Sequence, residues 1–148
     1  MLGRIALLPI PNRVVALYFR GGAPMPLSST PAKLPVILCI DDAEIALRVR
    51  KLLLGREGYN VLTARSGEEG LELFRHNPID LVISDHFLRA KTGTEIAREM
   101  KLLKPDVPIL IVSAAFEKPP GLEFADAFFP KCQSPDVLLD VIAQLLRK

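Results

Sequence analysis

The sequence has few cysteines, little net charge and no long apolar run, and each shortage removes a class of protein. Cys39 and Cys132 are the two cysteines in 148 residues, and neither lies in a C-x-x-C pair. They build no disulfide framework and match reduced thiols, which sets cytoplasmic localisation as the expectation. The net charge of +2, from 19 Lys+Arg against 17 Asp+Glu, is too small to indicate direct nucleic-acid binding. Two apolar runs near the start, residues 5–10 and 14–19, are split by Pro11-Asn12-Arg13. Neither approaches the roughly 20 residues of a membrane span, so no membrane insertion is expected. The same interruption spoils a signal peptide. With 49% hydrophobic and 24% charged residues, the composition excludes low-complexity and disordered classes and fits one globular domain.

Acid is missing from the beginning of the chain. No Asp or Glu precedes Asp41, whereas Arg4, Arg13, Arg20 and Lys33 do, and six of the thirteen prolines fall within residues 1–35. The chain thus divides into a basic, proline-rich leader at 1–34 and a domain at 35–148. A proline-rich segment lacking a periodic apolar face buries little, so the leader is expected to be disordered. A translation start at Met25 is the alternative.

From Val36 strands and helices alternate. Residues 36–40 form an apolar run ended by Asp41-Asp42, as in a strand buried on both faces. Ile45, Val49, Leu52 and Leu53 recur at helical spacing and predict the inward stripe of a first helix, which stops near Gly55 and Gly58. Residues 59–63 read as a second strand. Ser66-Gly67-Glu68-Glu69 has the S-x-x-E form of a capping box ahead of Leu71, Leu73 and Phe74. A third strand at 79–84 ends at Asp85, and Ile96, Ala97, Met100 and Leu103 form the stripe of a third helix with a weak start signal. A fourth strand at 107–112 ends at Ser113, and a fifth at 124–129 ends at Pro130-Lys131. Ser134 and Pro135 open a last helix that carries Val137, Leu138, Val141, Ile142, Leu145 and Leu146. This alternation over short links predicts an α/β fold with a parallel sheet and helices on both faces.

In such a sheet the site lies beyond the carboxyl ends of the strands, where the strand order switches. Asp41, Asp42, Asp85, Ser113 and Lys131 all stand there. Two unit charges about 4 Å apart repel by about 4 kcal/mol at an effective dielectric near 20, so three crowded carboxylates call for a cation. All-oxygen ligation by few carboxylates suits hydrated Mg²⁺. Asp85 is a carboxylate that can take a phosphoryl group, Lys131 can pair with it, and Ser113 offers a hydroxyl to a phosphoryl oxygen. Taken singly, these are a loop aspartate, a helix-capping pair and a surface lysine. The joint pattern is the signal.

Residues 36–148 resemble the receiver domain of two-component response regulators. The resemblance rests on Asp41-Asp42, Asp85, Gly93 eight residues later, Ser113-Ala114 and Lys131, in that order. It implies a flavodoxin-like, doubly wound five-stranded sheet of order 2-1-3-4-5, and a signalling switch rather than an enzyme. It further implies that Asp85 accepts phosphoryl from a histidine kinase or phosphotransfer protein. Asp41, Asp42 and Asp85 would hold Mg²⁺ with the Phe87 backbone carbonyl, Lys131 would take the family lysine's place, and Ser113 and Phe128 would be the switch pair. No effector domain is expected after Lys148, and signalling by contact with a downstream protein, as a monomer or weak dimer, is the matching expectation.

Departures accompany the match. Arg89 and Cys132 stand where the family commonly has proline. Pro119-Pro120-Gly121 leaves room for a shortened fourth helix at most, anchored by Phe116 and Leu122. His86 reads as a partly exposed neighbour of Asp85 that shapes partner choice. Phe87 and Ala115 flank the approach to Asp85 without an acid or amide to hold water, which implies a long-lived phosphoryl group. Two other readings stay open: a pseudo-receiver that binds without phosphorylation, and a Mg²⁺-dependent aspartyl-phosphate phosphohydrolase. The latter commonly has an Asp two residues past the nucleophile, where this chain has Phe87.

Overall fold

The computed structural model describes residues 4–10, 13–20, 23–26, 33–115 and 117–147. The leader differs from the expected disordered tail. Strands β1 (Arg4–Ile10), β2 (Arg13–Arg20) and β3 (Ala23–Pro26) form an antiparallel sheet in the order β1-β2-β3. Proline placement reconciles this with the composition. Pro9 lies on β1 and Pro24 and Pro26 on β3, both edge strands, while central β2 carries none. Proline lacks an N–H to donate and is tolerated at sheet edges, so a proline count alone misleads. Met25 lies within β3, so a start there would remove both other strands. Residues 27–32 of the leader lie outside the described residues.

The second sheet comprises β4 (Val36–Ile40), β5 (Asn60–Ala64), β6 (Leu81–Asp85), β7 (Ile109–Ser113) and β8 (Ala127–Pro130). All pair in parallel in the order β5-β4-β6-β7-β8, the expected 2-1-3-4-5. Helices α1 (Glu44–Arg56), α2 (Gly67–His76), α3 (Gly93–Leu103) and α4 (Pro135–Leu146) cover it. Alternation along each strand sorts the core into two layers. Ile37 and Cys39 of β4 face Leu47 and Leu54 of α1 and Leu138 and Ile142 of α4. Leu38 and Ile40 face Leu71 and Phe74 of α2 and Ile96 and Met100 of α3.

Local signals explain the helix starts. The Ser66 hydroxyl accepts from the Glu69 N–H at 3.1 Å, and the Glu69 carboxylate reaches the Arg65 N–H at 2.9 Å. For α3 the start signal that read as weak is a complete capping box. Thr92 Oγ1 accepts from the Glu95 N–H at 3.2 Å and Glu95 Oε2 from the Thr92 N–H at 2.7 Å. The T-x-x-E spacing of Thr92 and Glu95 carried that information.

Helix α1 overturns one expectation. Ile45, Val49 and Leu52 are exposed, at 77%, 60% and 71%, and the buried apolar residues are Leu47 and Leu54. The inward stripe runs through Leu47, Arg50 and Leu54. Its middle position is an arginine, with 10% of its side chain exposed, so the hydropathy pattern points to the wrong face.

Between β7 and β8 the described residues form a single 3-10 turn, Leu122–Phe124, in place of a fourth helix. Gly121 precedes it at φ +86°, a left-handed conformation that suits glycine. Leu122 packs against the α2–α3 layer, and Phe116 lies outside the described residues. The last strand accordingly starts at Ala127, later than the pattern suggested.

The α1 assignment has a direct check in two leucines two positions apart. Leu54→Ala should cost about 2–5 kcal/mol in urea unfolding, as for a buried leucine. Leu52→Ala should stay within about 0.5 kcal/mol. Equal costs would contradict the orientation of α1.

Candidate functional site

Parallel register delivers the rim residues to one edge. Asp41 follows β4, Asp85 and Ser113 end β6 and β7, and Lys131 follows β8. Asp41 is fully buried, Asp85 is 7% exposed and Ser113 is fully buried. One carboxylate oxygen from each of Asp41, Asp42 and Asp85 lies within 4.8 Å of the others. Lys131 Nζ bridges two of them, at 3.2 Å from Asp41 Oδ2 and 3.2 Å from Asp85 Oδ2. The lysine is held from its own backbone: its N–H donates to the Ser113 carbonyl at 2.8 Å. Asp41 Oδ1 accepts from the Ala43 N–H at 2.9 Å, which orients that carboxylate at the head of α1.

Two further cations border the cluster. Arg50 Nη1 lies 3.9 Å from Asp41 Oδ2, and Arg89 Nε lies 3.8 Å from Asp42 Oδ2. Sequence reading singled out Arg89 as a departure and passed over Arg50. The hint was an arginine three residues after Leu47 and four before Leu54.

Burial pushes the Asp85 carboxyl above its ordinary pKa; the nearby Asp41 charge adds to this and Lys131 opposes it. Burial also holds the Cys39 thiol, pushed up to about 12, in its inert protonated form. His86 differs from the expected partly exposed neighbour. It is 5% exposed, its pKa is lowered by burial, and its Nδ1 has no hydrogen-bond partner. Its ring meets Phe87 edge-on, with centroids 5.0 Å apart. Phe87 itself is 58% exposed.

Ser113 Oγ accepts from the Ala115 N–H at 3.2 Å. Phe128 is half-buried against the α2–α3 layer, whereas its neighbour Phe129 is buried against the α1–α4 layer. Gly93 is fixed by a close approach. A Cβ there would collide with the backbone carbonyl oxygen of Asp85, and the Gly93 N–H donates to the His86 carbonyl at 2.8 Å. The start of α3 therefore packs directly on the end of β6.

The family model for the response regulator receiver domain matches residues 37–143. The chain belongs to the receiver domain family. This receiver is 34% identical over 116 residues to the alkaline phosphatase synthesis transcriptional regulatory protein PhoP of Bacillus subtilis, covering 76% of this chain and 48% of that protein. It is 35% identical over 117 residues to the cell cycle response regulator CtrA of Brucella ovis, covering 76% of this chain and 50% of CtrA. The chain thus spans about half the length of these relatives.

Among solved structures, the response regulator TrrA of Thermotoga maritima, in complex with Mg²⁺ and BeF, aligns at 31% identity and TM-score 0.73 over 76% of this chain and all of that one. A response regulator from Chloroflexus aurantiacus aligns at 28% identity and TM-score 0.74, over 78% of this chain and 100% of that one. The fold and the family therefore place this receiver in two-component signalling. Among the described residues, no helix is long and apolar enough to cross a membrane.

The raised Asp85 pKa gives the site a pH signature. Ionised Asp85 costs stability above its folded pKa, and protonation relieves that cost as the pH falls. In metal-free buffer at about pH 7, Asp85→Asn should raise the thermal midpoint. The gain should shrink towards about pH 4 as the native carboxyl protonates. Calorimetry at both pH values checks this, and a lowered midpoint at pH 7 would show that the Lys131 contact outweighs burial.

Proposed function

We propose that this receiver is a phosphoacceptor switch in which Asp85 takes a phosphoryl group from the phosphohistidine of a kinase or phosphotransfer protein. The observation that carries the proposal is Lys131 Nζ spanning Asp41 and Asp85 at 3.2 Å each, beside three carboxylate oxygens within 4.8 Å. In the step, an Asp85 carboxylate oxygen attacks phosphorus. The bond from phosphorus to the donor imidazole nitrogen breaks, and its electron pair leaves with the imidazole.

The residues divide the work. Lys131 holds the attacking carboxylate in place and faces the charge of the arriving phosphoryl oxygens. Asp41, Asp42 and Asp85 form the hard oxygen set that fits Mg²⁺, and the Phe87 carbonyl would be a further protein ligand, as the family resemblance implies. When bound, Mg²⁺ would offset negative charge on the transferring oxygens. Ser113 bonds a phosphoryl oxygen after transfer, and Phe128, on the strand ahead of Lys131, reports that movement to the surface.

Output runs by contact with a downstream protein. The 3-10 turn at Leu122–Phe124 supplies little of the helical surface on which two receivers could pack, which supports a monomer or weak dimer. The pseudo-receiver and phosphohydrolase readings lose ground for different reasons. The acidic set and the lysine meet as phosphotransfer requires, and Phe87 offers no acid–base group for rapid hydrolysis.

Labelling with acetyl phosphate separates the three readings. The wild-type protein should take up one phosphoryl group in the presence of Mg²⁺, lose it slowly, and lose it faster in Phe87→Asn. Asp85→Asn should abolish the label, and Lys131→Ala should slow its formation by about 10-fold or more. Label on another residue, or none in the wild type, would overturn the assignment.

A further inference from the structure

The site carries its own counter-ions, and one of them is buried. Asp41 is faced by Lys131 and Arg50, Asp85 by Lys131 and Asp42 by Arg89, so three carboxylates stand against three cations. Arg89 is 89% exposed, and an ion pair at 3.8 Å in water contributes little. Arg50 is different. Its side chain is 10% exposed, it occupies the core-facing stripe of α1 between Leu47 and Leu54, and its Nη1 has no hydrogen-bond partner. At 3.9 Å the Asp41 carboxylate is beyond hydrogen-bond reach and acts on it through charge alone. A buried guanidinium with an unbonded nitrogen is costly unless an opposite charge compensates it, and here that charge is the fully buried Asp41.

We propose that Arg50 is a tethered counter-ion that sets the Mg²⁺ affinity of the carboxylate site, competing electrostatically with the metal for Asp41. The inference rests on the metal site proposed above. A divalent cation beside Asp41 draws off the negative potential that compensates Arg50 and adds positive charge in its vicinity. Coupling of this kind is reciprocal: the arginine weakens metal binding by the factor by which bound metal disfavours the buried arginine. The consequence is a receiver whose acidic site is balanced before metal arrives and which fills with Mg²⁺ only at higher concentration. Arg50 is therefore a positioning and affinity-setting residue that does not itself touch the metal or the phosphoryl group.

The test is a Mg²⁺ titration of the full chain, followed by the backbone amide shifts of Asp85 and His86, with no reaction involved. Arg50→Met removes the charge while keeping much of the stem. A cavity of about 310 Å³ bordered by Arg50, Val49, Leu53 and Leu138 gives the new side chain room. Arg50→Gln serves as a second neutral variant should the first fail to fold. Both should bind Mg²⁺ about tenfold or more tightly than wild type. Arg50→Lys, which keeps the charge, should stay close to wild type. Arg89→Ala should shift affinity by less than about threefold, because its pair is exposed. Unchanged or weaker binding in the neutral variants, alongside saturable binding in wild type, would overturn the counter-ion role and leave the metal site standing. No saturable binding in any form would overturn the metal site as well.

Discussion

Charge confinement at the carboxyl edge of the sheet is the constraint around which this receiver is organised. Parallel pairing brings the ends of β4 and β6 side by side, with Asp41 just after the first and Asp85 closing the second. Two buried carboxylates at that edge are tolerable only with a cation between them. Lys131 meets the requirement, and meets it from a different strand, two positions across the sheet. The backbone bond from Lys131 N–H to the Ser113 carbonyl fixes where the ammonium can reach. Closing the fold and assembling the site are thus one event: without β7 and β8 in register, Asp85 loses its Lys131 counter-charge and Asp41 keeps only Arg50.

The same constraint reaches into the core. Arg50 takes a position in α1 that geometry would otherwise give to leucine, and it is tolerated there because Asp41 lies beneath it. Gly93 shows the complementary effect on the other layer, where the backbone of β6 comes so close that no side chain fits. One electrostatic and one steric demand, on opposite faces of the sheet, hold the Asp85 end of β6 in position. Burial then raises the pKa of Asp85, a strain on the unmodified state that a change in the charge at this edge can act upon.

Much of this was legible in the residues, for reasons that differ by element. Four of the five strands, β4, β6, β7 and β8, are nearly continuous apolar runs, as a sheet covered on both faces requires, and each is closed or followed by a polar residue of the rim. The short segment around Pro119 and Pro120 announced the missing helix because proline constrains backbone directly. The orientation of α1 was hidden, since an apolar-periodicity argument assigns arginine to solvent and here the arginine is buried. The burial of His86 was hidden too, because nothing local signals that α3 packs across it. The β1–β3 sheet was concealed by prolines that only an edge-strand assignment explains.

The central claim is that the acidic edge, Lys131 and Ser113 act together as a phosphoryl-binding switch centred on Asp85. The most direct measurement is an amide-resolved NMR titration with beryllofluoride, a phosphoryl mimic, in the presence and absence of Mg²⁺. The account predicts a new, slowly exchanging set of resonances for Asp85, Ser113, Phe128 and Lys131 that appears only with Mg²⁺ and is absent in Asp85→Asn. Resonances that do not move, or that move equally in Asp85→Asn, would contradict it.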